Sequence, residues 1–204
     1  MEEAAPDRAE ALARFGAFAL GRADAGAASP LASLAKHLEL RHATAGSRLV
    51  RRGAPCRTLY FIAAGYVKYE LDAGGERPFV HIAGTGKLAT DFGAYYAGTP
   101  ATTDVTALTP CCLLAVERAT LERLYAGSAV LANLGRRIAE QAVVAQIAQR
   151  VEAQALTAEE RYVRILEAEP QLLRSVRLGD LAEMLGIAQP TLSRIRARIR
   201  ERRF

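Results

Sequence analysis

Apolar positions along this chain hold one period for a stretch and then abandon it, and the changes divide it into parts. In the first 40 residues Ala11, Leu12, Phe15 and Phe18 recur at helical spacing. After a break near 21–30, Leu31, Leu34, Ala35 and Leu38 predict a second short helix. From 41 to 117 the pattern shortens. β-like runs at 59–62, 65–71, 79–82, 105–108 and 112–116 alternate with turn signals at Gly46, Gly53, Gly65, 72–75 and Pro110. Many short strands at that spacing predict a sandwich or jelly roll.

A helical period returns at 128 and runs unbroken to 155, about 42 Å at 1.5 Å per residue. Leu131, Leu134, Ile138, Ala142, Ala145 and Val151 form an apolar seam, with Val144 and Ile147 beside it and Gly135 its weak point. Packing on the chain's own barrel accounts for part of that length. The rest predicts cover by a second copy in a parallel or near-parallel homodimer. Thr157 and Glu160 have capping-box spacing, so a new helix and a domain boundary fall near Leu156.

The last period change has the sharpest meaning. Leu181 and Leu185 stand four apart, and Ala182 is small enough for a second helix to approach. Gly186 stands where that helix must stop, because a turn there favours positive φ. Ile187 fills the corner, Pro190 suits a first helical turn, and Leu192 and Ile195 give the second helix an inward face. This is the pattern of a helix-turn-helix, a unit that lays a helix in the DNA major groove. Gln189, Thr191, Ser193, Arg194, Arg196, Arg198 and Arg200 are its candidate outward residues. The plainer reading is a helical hairpin with a solvated basic face. Charge opposes it: eight arginines and three carboxylates between 170 and 204 give that end a net +5, the formal value of the whole chain. A cationic end on a balanced protein is the electrostatic footprint of a polyanion partner.

The 204 residues, half of them apolar, suffice for two domains. No apolar run approaches a membrane span, and the opening Met1-Glu2-Glu3 lacks the basic start of a secretory signal. Cys56, Cys111 and Cys112 lack metal or disulfide spacing and predict buried thiols in a cytoplasmic protein. No nucleophile–base pair or P-loop appears, since 84–87 is too short, so the expectation is not an enzyme. Asp91 with Asp104 is better explained by turns than as a carboxylate pair.

A β-rich roll, a long helix and a helix-turn-helix, in that order, resemble the Crp/Fnr family of bacterial transcription regulators. Residues 44–53 and 59–68, each with a turn glycine, are similar to the family's early strands. Glu160-Arg161-Tyr162, Pro170 and 176–182 are similar to its entry into the DNA-binding domain. The resemblance covers about 31–204. It implies an α+β fold: N-terminal helices and a cyclic-nucleotide-binding-like double-stranded β-helix or jelly roll over 1–127, a dimerisation helix over 128–155, and a helix-turn-helix domain over 156–204 lacking a full trailing wing.

The resemblance also implies an effector pocket. In the family an acidic residue holds the ribose, and about ten residues later an arginine and a hydroxyl hold the cyclic phosphate. Asp91 matches the acid, Phe92 and Gly93 follow it, Thr102 and Thr103 match the hydroxyl end, and Gln146 reaches in from the long helix. Ala101 stands where the arginine belongs. Losing that contact to a buried phosphate costs about 3–5 kcal/mol, so a standard cyclic AMP sensor is not expected. Three readings stay open: a ligand-free structural roll, a less anionic and unidentified small-molecule effector, or compensation by another base such as Lys87. The family's iron–sulfur branch uses an N-terminal cysteine cluster, whereas the first cysteine here is Cys56, and His37, His42 and His81 are solitary. Pro190 replaces a base-reading glutamate common in relatives.

Taken together these features predict a dimeric, sequence-specific DNA-binding transcription regulator. Its partners would be a near-palindromic DNA duplex, a second copy and, if it activates, RNA polymerase. The alternative is a small-molecule-sensing adapter whose helix-turn-helix docks on protein.

Overall fold

Strands that bury both faces read as continuous apolar runs, and two such runs form the middle of this molecule. A computed structural model describes residues 5–21, 27–71 and 79–202. In it β1 (Glu39–Ala43), β2 (Arg48–Val50), β3 (Thr58–Ala64), β4 (Tyr66–Leu71), β5 (Phe79–Gly84), β6 (Leu88–Ala89), β7 (Asp104–Ala107) and β8 (Cys111–Glu117) form two antiparallel sheets. Their orders are β1-β8-β3-β6 and β2-β7-β4-β5. Alternate residues of β8 serve different cores. Cys111, Leu113 and Ala115 join Val67 and Val105 between the sheets, while Cys112, Leu114 and Val116 join Phe15, Leu31 and Leu131 outside. Tyr60 and Ile62 of β3 point inward in the same way, with Phe61 and Ala63 outward. Each large side chain buried there stabilises the fold by about 1.5–3 kcal/mol. The three cysteines are free thiols in these cores.

Between β3 and β4 the chain leaves one sheet for the other at Gly65. Its φ is +100°, and a Cβ there would lie 2.6 Å from the Pro110 carbonyl oxygen and 2.7 Å from Cys111 Sγ. Only glycine fits such a crossing.

The outer core is closed by α1 (Arg8–Leu20), α2 (Ala28–Ala35), α4 (Arg118–Gly127) and the start of α5 (Ala129–Ala155); α3 (Phe92–Ala97) lies in the roll. Ser128 caps α5 by accepting a hydrogen bond from Leu131 N–H. The single seam expected along α5 is two surfaces. Leu131 and Leu134 are buried and Ile138 packs beside them in the chain's own core. Farther on, Val143, Val144, Ile147 and Val151 are each more than half exposed, and Ala145 is exposed as well. Gly135, the weak point, has a packing role, since a Cβ there would meet the Tyr125 hydroxyl at 2.5 Å.

Thr157 and Glu160 form the expected reciprocal capping box and open α6 (Ala158–Ala168). Then come α7 (Pro170–Ser175), α8 (Leu178–Met184) and α9 (Gln189–Arg202). Tyr162, Leu172, Val176, Leu181, Leu185, Leu192, Ile195 and Ile199 make the core of this end, and Ile82 of β5 reaches into it. Lys68 on β4 extends its ammonium to Asp180 at 3.2 Å and Glu183 at 3.3 Å on α8, and to Glu70 at 3.2 Å. Among the described residues no helix is long and apolar enough to cross a membrane. The predicted turn at 72–75 and the arginine at 203 lie outside the described residues.

Candidate functional site

Two groups of residues carry the chemistry expected from the sequence, one on α9 and one around α3. On α8 the helix ends as its pattern requires. Gly186 has φ +68°, and Ile187 N–H returns to the Ala182 carbonyl at 3.0 Å, tying off the turn. Gly186 N–H bonds the Glu183 carbonyl at 2.9 Å. The chain then enters α9 with Leu192 fully buried and Ile195 and Ile199 at the following turns of the same face. Ile199 was not singled out by sequence reasoning, although it continues that spacing. The buried stripe fixes what the opposite side shows.

Gln189, Ser193, Arg194, Arg198 and Arg200 are exposed, and Thr191 and Arg196 are half-buried. The Arg194 side chain folds back along the first turn of α9, donating to Thr191 Oγ1 at 3.3 Å and to the Pro190 carbonyl at 3.5 Å. Arg198 is held differently. Its guanidinium reaches Glu159 on α6 at 2.7 Å, and Arg202 meets the same carboxylate at 2.9 Å. Exposed pairs of this kind contribute about 0–1 kcal/mol, so a stronger anion can displace them. Arg161 crosses beneath, donating to the Leu185 carbonyl at 2.8 Å and holding α6 to the end of α8.

Around α3 the arrangement is closed. Asp91 caps the helix, with Oδ1 accepting from Ala94 N–H at 3.1 Å. Its other oxygen, Oδ2, accepts from Thr102 N–H at 2.7 Å, Thr102 Oγ1 at 2.9 Å and Thr103 N–H at 3.0 Å. Burial alone would push this carboxyl up, but the hydrogen bonds from Ala94, Thr102 and Thr103 outweigh it and hold the pKa below the ordinary aspartate value. Phe92 and Gly93 form the first turn of α3. Thr90 is fully buried and donates to the Thr58 carbonyl at 2.9 Å, with Cys56 Sγ 3.2 Å from its hydroxyl.

Ala101 is 3 % exposed and paired through its backbone to Gly53 and Ala54. An arginine at that position has no room without displacing the core. Lys87 is exposed in the β5–β6 turn, and Gln146 is exposed on α5; neither hydrogen-bonds the Asp91 group. Asp104 is the first residue of β7 and not a turn residue, and its carboxylate accepts from Arg52 N–H at 3.0 Å. Tyr95 is buried and Tyr96 exposed, their rings edge to face.

One further feature had no spacing signal. A pocket of about 310 Å³ beneath the β2–β3 connection is lined in part by Arg48, Arg51 and Arg57. Arg48 lies on β2, and Arg51 and Arg57 lie on the connection that follows it.

Residues 40–128 match the family model of the cyclic nucleotide-binding domain. No curated protein matches the sequence. Among solved structures, the c-di-GMP responsive global regulator CLP of Xanthomonas campestris superposes with a TM-score of 0.63 at 17 % identity, over 85 % of this chain and 92 % of that one. FixK2 from Bradyrhizobium japonicum gives 0.64 at 16 % identity, over 81 % and 85 %. The catabolite activator protein of Thermus thermophilus gives 0.52 at 21 % identity, over 87 % and 85 %. The family match assigns a cyclic nucleotide-binding domain to residues 40–128, and the three solved structures share the fold of the chain.

Proposed function

We propose that this chain, with its Crp/Fnr-like fold, is a dimeric, sequence-specific DNA-binding transcription regulator of the cytoplasm. The observation that carries this reading is α9. One face is buried as far as Ile199, and the other holds Gln189, Ser193, Arg194 and Arg200 free of carboxylate partners among the described residues. Arg194, on the first turn, is the candidate for guanine readout, because its planar fork can pair with O6 and N7. Gln189, Thr191 and Ser193 flank it. Arg196, Arg198 and Arg200 are candidate phosphate neutralisers.

Dimerisation is supported by the exposed stripe Val144, Ile147 and Val151, whose steps of three and four residues suit a helix–helix seam. Two copies would present two α9 helices to successive major grooves about 34 Å apart. RNA polymerase is the further partner if the protein activates. The test is sequencing of genomic fragments captured by the purified protein, with and without cyclic nucleotides. A palindrome with half-sites one turn apart is expected. A dimer that enriches no fragment under any condition would favour the protein-docking adapter.

A further inference from the structure

A roll that matches the cyclic nucleotide-binding domain should offer an anion a cluster of donors, and this one does. Thr102 N–H, Thr102 Oγ1–H and Thr103 N–H converge on a single point, each within 3.0 Å of one oxygen. That oxygen belongs to the protein. We propose that Asp91 is a built-in occupant of an oxyanion seat, so that the protein's own carboxylate closes the cassette in place of a cyclic phosphate.

Three observations carry this. The three donors that converge on Oδ2 are neutral, so they suit one negative charge and supply no cation for a second. No lysine or arginine side chain bonds Asp91 among the described residues. The nearby Arg118 is committed to the Tyr95 carbonyl at 2.8 Å and to Glu122 at 2.7 Å, and Arg52 is engaged with Asp104. Nor is there space for a missing cation, since Ala101, the neighbour of Thr102, is buried in the roll core. An entering phosphate would have to take the three donors from a buried carboxylate and leave its Oδ2 unpaired, against like-charge repulsion. Cyclic nucleotide therefore does not fit the residues present.

This deepens the reading of the roll in the proposed regulator: DNA binding would need no cyclic nucleotide, because the seat is filled during folding. The effect is a fixed α3 and a fixed 101–103 segment, tied together by residues eleven and twelve positions apart.

The experiment uses the full chain and two independent readouts. Asp91→Ala empties the seat, and a fall in Tm of roughly 5 °C or more is expected. Tens of millimolar formate, a small carboxylate, should then restore part of that loss. It should restore none in wild type or in Asp91→Ala/Thr102→Val. A formate-insensitive Asp91→Ala would reduce Asp91 to a helix cap and overturn the proposal.

The second readout needs no variant to fold. In wild type, amide resonances of Thr102 and Thr103 should stay in place as cyclic AMP or inorganic phosphate is titrated. Shifts confined to 48–58, where the arginine pocket lies, would agree with a filled seat. Saturable shifts at Thr102 and Thr103 would overturn it. Neither readout involves DNA, so this proposal and the DNA-binding reading can fail separately.

Discussion

The α9 face and the Asp91 cassette both present groups suited to an anion, and they differ in who answers them. On α9 a buried apolar stripe holds the helix, so the polar side is left over and faces solvent. In the cassette the donors converge, and a carboxylate from the same chain takes them. Open donors mark a surface that can accept a partner; satisfied donors mark a joint. The comparison teaches that matching residue types do not distinguish a ligand site from an internal tether. Geometry does.

The largest effect should come from removing what holds α9 in place. Leu192→Ala deletes a fully buried side chain and should cost about 2–5 kcal/mol. Hydrogen exchange should show lost protection in α6–α9 with β3 and β8 intact. Equal loss in both would mean the two ends unfold as one unit.

Next comes the open face itself. Arg194→Ala should weaken specific DNA binding by about 1–3 kcal/mol and relax one base position, with Tm unchanged. Binding assays on specific and random duplexes decide it, and equal weakening on both would remove Arg194 from base readout. The closed site answers differently to a restored cation. Ala101→Arg should destabilise the roll by about 1–3 kcal/mol through overpacking, without gain of cyclic AMP affinity in calorimetry. Measurable affinity would show that the seat yields to phosphate after all.

Acid sharpens the contrast further. The folded pKa of Asp91 lies below its ordinary 3.8. Its contribution to stability is therefore fully present above that ordinary value and lost as pH falls through the lower folded one. Asp91→Asn should remove that limb from the acid melting profile while leaving the α9 surface untouched. An identical profile in the variant would assign acid sensitivity elsewhere.

The smallest effect concerns Glu159, which now holds Arg198 and Arg202. Glu159→Ala should strengthen DNA binding by up to about 1 kcal/mol and steepen its dependence on salt. An unchanged slope would place both arginines off the phosphate path.

Much of this architecture could be read from periodicity where one element answers to one neighbour. The C-terminal helix pair, with Gly186 at its turn, is such a case, and so is the capping box at Thr157. The runs of β3 and β8 were legible because strands buried on both faces are apolar nearly throughout, and those of β4, β5 and β7 because short β-prone runs stood between turn signals. Elements that depend on tertiary context were not. β6 has two residues and no pattern of its own, α3 carries alanines, aromatics and a glycine, and α7 spans six residues. The seam of α5 looked continuous because a sequence does not record which side of a helix meets which partner, so burial of Leu131 and exposure of Val144 gave one signal. At the cassette, Asp91 and Thr102 were identified by position. That the aspartate reaches the threonine's own donors depends on how the chain brings residues 91 and 102 together, and eleven intervening residues leave no periodic trace.

Lys68 adds one consequence. It sits on the roll, yet two of its partners, Asp180 and Glu183, ride on α8 beside the arginine-bearing helix. Those carboxylates would repel a phosphate backbone at close range. One ammonium supplied from another part of the chain masks them, so the roll also acts as a counter-charge for the end of the molecule proposed to bind DNA.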